Sequence, residues 1–287
     1  MRGETYGFAE VTSSTLDTVF KQQKEYKAHA EMDTKGFKIR ECRDSETHPN
    51  TVPIILGLDV TGSMGEIPAH LIRDGLPTLM STLIQRGVPD ASLCFVAVGD
   101  HECDSHPLQV AQFESGDEEL DMWLTRTYIE GGGGGNYGES YPLVWHFAAN
   151  HVVADHIEKR NKKGFIITIG DEPFLKSIPA NALKEIYGPD ESVQGTVKAL
   201  DLLEAARQHY HVFHIFVKHG YRRLDEAWVN ALGDNLIIVS KIESIASVIA
   251  DTVLKHHFED GAEIQLNANI ADKTAETKEE TKEENML

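Results

Sequence analysis

At positions 59–63 the chain reads Asp59-Val60-Thr61-Gly62-Ser63, which places a carboxylate and two hydroxyls at alternate residues directly after an apolar run. On a tight turn, side chains at alternate positions can face one centre. The three offer hard oxygen donors only. That set suits Mg²⁺, which takes about six oxygens at ~2.1 Å and keeps part of its water. Asp59 would supply charge, and the neutral hydroxyls of Thr61 and Ser63 would leave the ion electrophilic toward an incoming carboxylate. The same residues also have a plainer use. Asp59 can cap the next helix, and the hydroxyls can satisfy turn amides.

The elements around this loop decide whether its side chains have company. Val52–Leu58 is almost continuously apolar, as a central strand covered on both faces should be. Ala91–Val98 and Gly164–Ile169 read as further buried strands, Val212–Val217 and Leu236–Val239 as two more, and Leu108–Phe113 alternates like a half-exposed one. Helical spacing is expected over Ile67–Gln85 with a kink at Pro77, Glu118–Thr127, Tyr141–Arg160, Val193–His209 with Leu200, Leu203 and Ala206 on one face, Asp225–Leu232 and Ser244–His256. Strands that alternate with helices imply βαβ units. The expected class is α/β, a three-layer, doubly wound, Rossmann-like arrangement with a mostly parallel sheet and helices on both faces. In such sheets ligands sit beyond the carboxyl ends of the strands. The loops after Leu58, Val98 and Ile169 are therefore the places for chemistry.

Asp59-x-Thr61-x-Ser63 after a buried strand resembles the DxSxS/DxTxS signature of the von Willebrand factor A family, where it forms a metal-ion-dependent adhesion site. The resemblance spans roughly residues 51–258. It implies an aspartate at the end of a later strand, which Gly170-Asp171-Glu172 supplies through Asp171. It also implies a Thr or Asp in a glycine-rich loop before a helix. Here the loop is Gly131–Gly138 and holds no Thr; Asn136 stands at the Asp position of members with GGGDxPE, and Glu139 or Ser140 are the alternatives. By resemblance, then, the metal ligands are Asp59, Thr61, Ser63, Asn136 and Asp171. The ion is Mg²⁺, with Mn²⁺ or Ca²⁺ left open, and the function is capture of an Asp or Glu carboxylate on a protein partner. A metal-dependent hydrolase or phosphatase using the same acidic residues is the alternative.

Other signals weigh less. Gly133–Ser140 mimics a phosphate loop, but Glu139 stands where the phosphate-binding lysine should be. Asp100–His106 is dense in potential zinc ligands, yet its spacing matches no zinc finger or ribbon, so loop hydrogen bonding is expected, with Asp100 supporting the cation from behind. No GxSxG elbow is present. The remaining histidines, among them His146, His151, His156, His209, His211 and His214, read as surface or satisfied core residues.

The 287 residues carry a formal net charge of −19, which disfavours nucleic acid and anionic membranes as partners. The three cysteines form no CxxC pair, and Cys94 lies in an apolar run. With no apolar leader and no long apolar span, the expected location is the cytoplasm. Residues 1–50 are expected to form an N-terminal helical extension with a helix over 13–33 and a polar, irregular stretch over 34–50, residues 51–262 the main domain, and residues 263–287 an acidic, disordered tail.

Overall fold

In the computed structural model, which describes residues 21–131, 137–220 and 222–258, the apolar run after Thr51 is the strand at the centre of the molecule. The chain enters through a short helix, α1 (Lys21–Glu25), and strand β1 (Arg40–Cys42). Strand β2 (Val52–Asp59) follows, then helices α2 (Ile67–His70) and α3 (Leu79–Gln85), strands β3 (Ala91–Val98) and β4 (Leu108–Glu114), and helix α4 (Asp117–Thr125). Helix α5 (Pro142–Asn150) leads to β5 (Val152–Ala154), α6 (Asp155–Glu158) and β6 (Gly164–Gly170). After these come β7 (Ser177–Pro179), α7 (Ala180–Tyr187), β8 (Thr196–Lys198), α8 (Ala199–Arg207), β9 (Tyr210–Val217), α9 (Glu226–Leu232) and β10 (Leu236–Val239). A last helix, α10, covers 245–258.

Six strands form the central sheet in the order β10-β9-β6-β2-β3-β4, all parallel except β4, which runs antiparallel to β3. The chain begins this sheet in its middle, moves outward through β3 to β4, then returns to the other side of β2 with β6. Consecutive residues of a strand face opposite sides, and the sequence is apolar on both. Ile54, Leu56 and Leu58 join Phe95 and Ile167 in one core, closed by Leu71, Leu79, Leu83, Ile249 and Val253. Ile55, Cys94 and Ile166 join a second core with Leu143, Phe147, Leu203 and Trp228. The sheet is thus buried under helices on both faces. Each fully buried Leu, Ile or Phe contributes about 1.5–3 kcal/mol.

Several sequence expectations need correction. The helix over Ile67–Gln85 is broken: Leu71–Gly75 forms a π turn closed by Leu76 N–H to Leu71 O at 2.8 Å, and α helix resumes only at Leu79. Pro77 lacks an N–H and its ring crowds the preceding turn, so the helix opens rather than merely bending. The helix over Tyr141–Arg160 ends at Asn150, because the β-branched pair Val152-Val153 goes into β5 beside β1. That same pairing gives a strand to the segment 34–50, expected to be irregular. The helix over Val193–His209 starts at Ala199; Thr196–Lys198 pairs instead with β7, an element the sequence reading missed along with α7. Leu202 therefore faces inward and Leu200 is 53% exposed.

Of the helix expected over 13–33, residues 21–33 are described, and it ends at Glu25: Tyr26 turns into the left-handed region at φ 52°, and Ala30–Met32 is a separate 3₁₀ turn. Within the helix Gln23 clasps Ile129, donating to its carbonyl and accepting from its N–H, both at 2.7 Å. The tail at 263–287 lies outside the described residues. Among the described residues, no helix is long and apolar enough to cross a membrane.

Candidate functional site

β2 and β6 are adjacent parallel strands, with Leu58 opposite Ile169, so Asp59 and Asp171 leave the sheet at neighbouring carboxyl ends. The intervening oxygens come from the loop after β2. Thr61 is extended and begins a 3₁₀ turn over Gly62–Met64, which Gly65 ends in the left-handed region at φ +55°. Asp59 Oδ1 accepts hydrogen bonds from Thr61 N at 2.9 Å and Thr61 Oγ1 at 2.6 Å, while Tyr141 Oη donates to Oδ2 at 2.7 Å. Ser63 Oγ lies 3.3 Å from Thr61 Oγ1 and donates to Asp171 Oδ1 at 2.7 Å. Asp59, Thr61, Ser63 and Asp171 are thus one connected row. Each hydroxyl gives its single hydrogen to a carboxylate, which leaves oxygen lone pairs free.

A second set of groups holds this row. Asp171 Oδ2 lies 2.9 Å from His219 Nε2 and 3.3 Å from Arg222 Nε, and Arg222 also pairs with Glu172. Trp228 Nε1 donates to the Glu172 carbonyl at 2.9 Å, which anchors the turn after β6. The same indole stacks on His214 at 3.7 Å, and His214 Nδ1 is 2.8 Å from Thr168 Oγ1 beneath the site. Gly170 is required: a Cβ there would overlap Tyr141 Oη and come within 2.9 Å of Asp59 Oδ2.

The site carries more negative charge than its own cations balance. Asp59 and Tyr141 are fully buried, and Asp171 and Glu139 are 1% and 8% exposed. Burial, then the nearby charges of Asp59 and Asp100, push the Glu139 carboxyl far above the usual carboxylate range. Burial also raises Asp59, against the hydrogen bonds from Thr61 and Tyr141, with Asp171 adding repulsion. Tyr141 is held well above its ordinary value, by burial first and then by the Asp59 and Glu139 charges. Glu139 Oε2 is buried and makes no hydrogen bond.

Of the five ligands inferred from sequence, four are brought together. Asn136 lies outside the described residues. Of its two alternatives, Glu139 reaches the site beside Thr61. Ser140 does not, because its hydroxyl accepts from His101 N at 2.9 Å and sits 2.8 Å from His101 Nδ1. The Asp100–His106 segment organises itself as a loop: Asp104 accepts from Asp100 N at 2.7 Å and Asp100 from Glu102 N at 3.0 Å. Sequence reasoning missed Tyr141, His219 and Arg222. Tyr141 directly follows the Glu139-Ser140 alternatives and was open to notice. His219 and Arg222 follow β9 with no local signature.

The donors fit a hard divalent cation. They are oxygen only, they converge at a rim with excess negative charge, and one buried carboxylate oxygen has no hydrogen-bond partner.

No family model and no curated protein sequence matches this chain. Among solved structures, it is similar to the pilus adhesin SpaC from Lactobacillus rhamnosus GG in its open conformation, at 11% identity and a TM-score of 0.48 over 76% of this chain and 31% of that one. It is also similar to proximal thread matrix protein 1 from the mussel byssus, at 12% identity and a TM-score of 0.45 over 75% of this chain and 47% of that one. The chain therefore spans less than half the length of either protein. These likenesses say nothing about the site.

Proposed function

We propose that this chain is a doubly wound von Willebrand factor A-type domain in which Asp59, Thr61, Ser63 and Asp171 hold one divalent cation, Mg²⁺ first among candidates, for docking a partner protein. Counting only the central strands in chain order, the sheet runs 3-2-1-4-5-6, an order that opens a crevice at the carboxyl ends of strands 1 and 4. Those strands are β2 and β6. The observation that carries the proposal is the row of oxygens from Asp59 through Thr61 and Ser63, 3.3 Å apart, to Asp171 at that crevice.

When bound, the ion would supply an electrophilic point for a partner's Asp or Glu carboxylate. The chain's own residues do the rest. Tyr141 fixes Asp59, while His219 and Arg222 fix Asp171, and the half-exposed Arg222 guanidinium leaves a positive group at the rim. Without a cation the rim offers no electrophilic point for an acidic partner, so docking is metal-gated. The net charge of −19 disfavours nucleic acid and anionic lipid as partners. Cys42, Cys94 and Cys103 are free thiols, which fits a reducing compartment, and the cytoplasm is the location proposed.

The test is partner capture from an extract with the full chain in Mg²⁺ and in chelator, repeated with Asp59→Ala. Capture by the wild-type chain in Mg²⁺ that is lost in chelator and lost with Asp59→Ala supports docking; capture indifferent to both overturns it. A hydrolase reading has one observation in its favour, the His219 imidazole against Asp171. Turnover of phosphate esters in Mg²⁺ or Mn²⁺ that Asp171→Ala abolishes would replace docking with that reading.

A further inference from the structure

The far end of α5 carries a second, separate constellation. α5 starts beside the Asp59 site at Tyr141, and its nine residues span about 14 Å. His146, at the middle of the helix, and His151, just past its end, face Glu191 in the loop between α7 and β8. Among the described residues this is the one place where three His, Cys, Asp or Glu side chains bring possible ligand atoms within 4.8 Å of one another.

The geometry is poor for hydrogen bonding and good for a metal. His146 Nε2 is 3.3 Å from Glu191 Oε1, and His151 Nε2 is 3.2 Å from Glu191 Oε2. Both ring nitrogens are buried and make no hydrogen bond. A charge-assisted N–H···O bond would draw such atoms to ~2.7–2.9 Å. Ligands on a tetrahedral zinc ion, with bonds of ~2.0–2.1 Å, stand about 3.3 Å apart, close to these two separations to the two carboxylate oxygens, and one ligand atom from each residue lies within 4.8 Å of the others. The side chains are also shielded: His146 is 2% exposed and Glu191 9%.

The groups behind the nitrogens complete the pattern. His151 Nδ1 is 2.9 Å from the Lys38 carbonyl, to which it can only donate, so in the neutral ring Nε2 is the nitrogen with the lone pair, on the side of Glu191. Zinc-bound imidazoles are oriented by such a bond from the other ring nitrogen. Asn150 Nδ2 donates to the His146 carbonyl at 3.0 Å and stands 3.2 Å from His146 Nδ1. Tyr187 lies flat on His151, with ring centres 4.3 Å apart, and closes the site from the side.

We propose that His146, His151 and Glu191 form a zinc site, independent of the Asp59 site, that pins the 188–195 loop to the end of α5. Three protein ligands leave one tetrahedral position for water. The ion would join two segments, the end of α5 and the loop between α7 and β8. Through Lys38 the site also ties down the segment that leads into β1.

The test uses the full chain, stripped of metal and returned to excess Mg²⁺ so that any hard-cation site is filled. Zn²⁺ is then added in a calorimeter, and Co²⁺ in parallel for its visible tetrahedral absorption. The expected result is one equivalent of Zn²⁺, an intense Co²⁺ spectrum, and affinity reduced at least tenfold by Glu191→Gln and by His151→Gln, while Asp171→Ala binds Zn²⁺ like the wild type. Circular dichroism reports whether each variant folds. The wild-type titration decides even if a variant does not fold: no Zn²⁺ uptake and no tetrahedral Co²⁺ spectrum by the folded chain overturns the proposal. Uptake that both folded variants leave unchanged does so too.

Discussion

In chelator, Glu139→Gln should stabilise the protein and flatten the pH dependence of its stability. Folded Glu139 holds its proton more tightly than the unfolded chain does, because burial and the charges of Asp59 and Asp100 disfavour the carboxylate. The sign follows from linkage. Below the unfolded value of ~4.3 both states carry the proton and the full stability is present. Above it the unfolded chain loses the proton first, so stability falls as pH rises toward the folded value. The slope is up to ~1.4 kcal/mol per pH unit for one group. From pH 6 to 7 that is about 3–6 °C in Tm for a domain of this size. The amide keeps the shape of the side chain, carries no titrating proton and relieves the repulsion on Asp59. Thermal melts in chelator at pH 6 and 7, followed by circular dichroism, give the comparison. With excess Mg²⁺ the wild-type slope should vanish or reverse, because ligands must be deprotonated to bind. The buried His146, His156 and His214, held low by burial, shift both proteins alike, so the difference in Tm decides. A difference between variant and wild type in chelator that does not widen from pH 6 to 7 refutes the reasoning.

Three further outcomes follow from the same coordinates. Gly170→Ala puts a Cβ into Tyr141 Oη and against Asp59, so it should cost about 1–3 kcal/mol as overpacking and also remove any Mg²⁺-dependent rise in Tm. Ser63→Ala removes one neutral oxygen and the hydrogen bond to Asp171; calorimetry should show Mg²⁺ affinity at least ~10-fold weaker, equivalent to about 1.4 kcal/mol, with the fold retained. At the opposite edge, Arg160 donates to both oxygens of Asp44 and to the Thr51 carbonyl, and holds the Asp44 carboxyl down to about 2. That stabilisation is present above the ordinary carboxylate value and lost as pH falls toward 2. Arg160→Ala should therefore lower the Tm at pH 7 and lower it much less at pH 2.5.

The central strands were legible because a strand buried on both faces must be apolar at every position, and few other segments are. The runs at 52–58, 91–98 and 164–169 fall within a residue of their observed limits. The row of Asp59, Thr61, Ser63 and Asp171 was legible for a related reason, since side chains fixed by adjacent strand ends need only local sequence to be placed. The helices were less so. Pro77 competes with a good apolar stripe, and the stripe alone does not say that the helix opens into a π turn. Strand β5 exists through its pairing with β1, a contact between Arg40 and Val152 that no local window contains. His219 and Arg222 reach Asp171 by the same kind of distant contact. The His146–His151–Glu191 cluster was illegible because five residues on a helix normally point two side chains apart, and here the helix ends between them.

The most direct test of the cation site is a crystal of the full chain grown with Mn²⁺ and measured at the manganese absorption edge. The account predicts one anomalous peak within bonding distance of Thr61 Oγ1 and Ser63 Oγ, between Asp59 and Asp171. A rim without a peak there, in crystals that bind Mn²⁺ elsewhere, contradicts it.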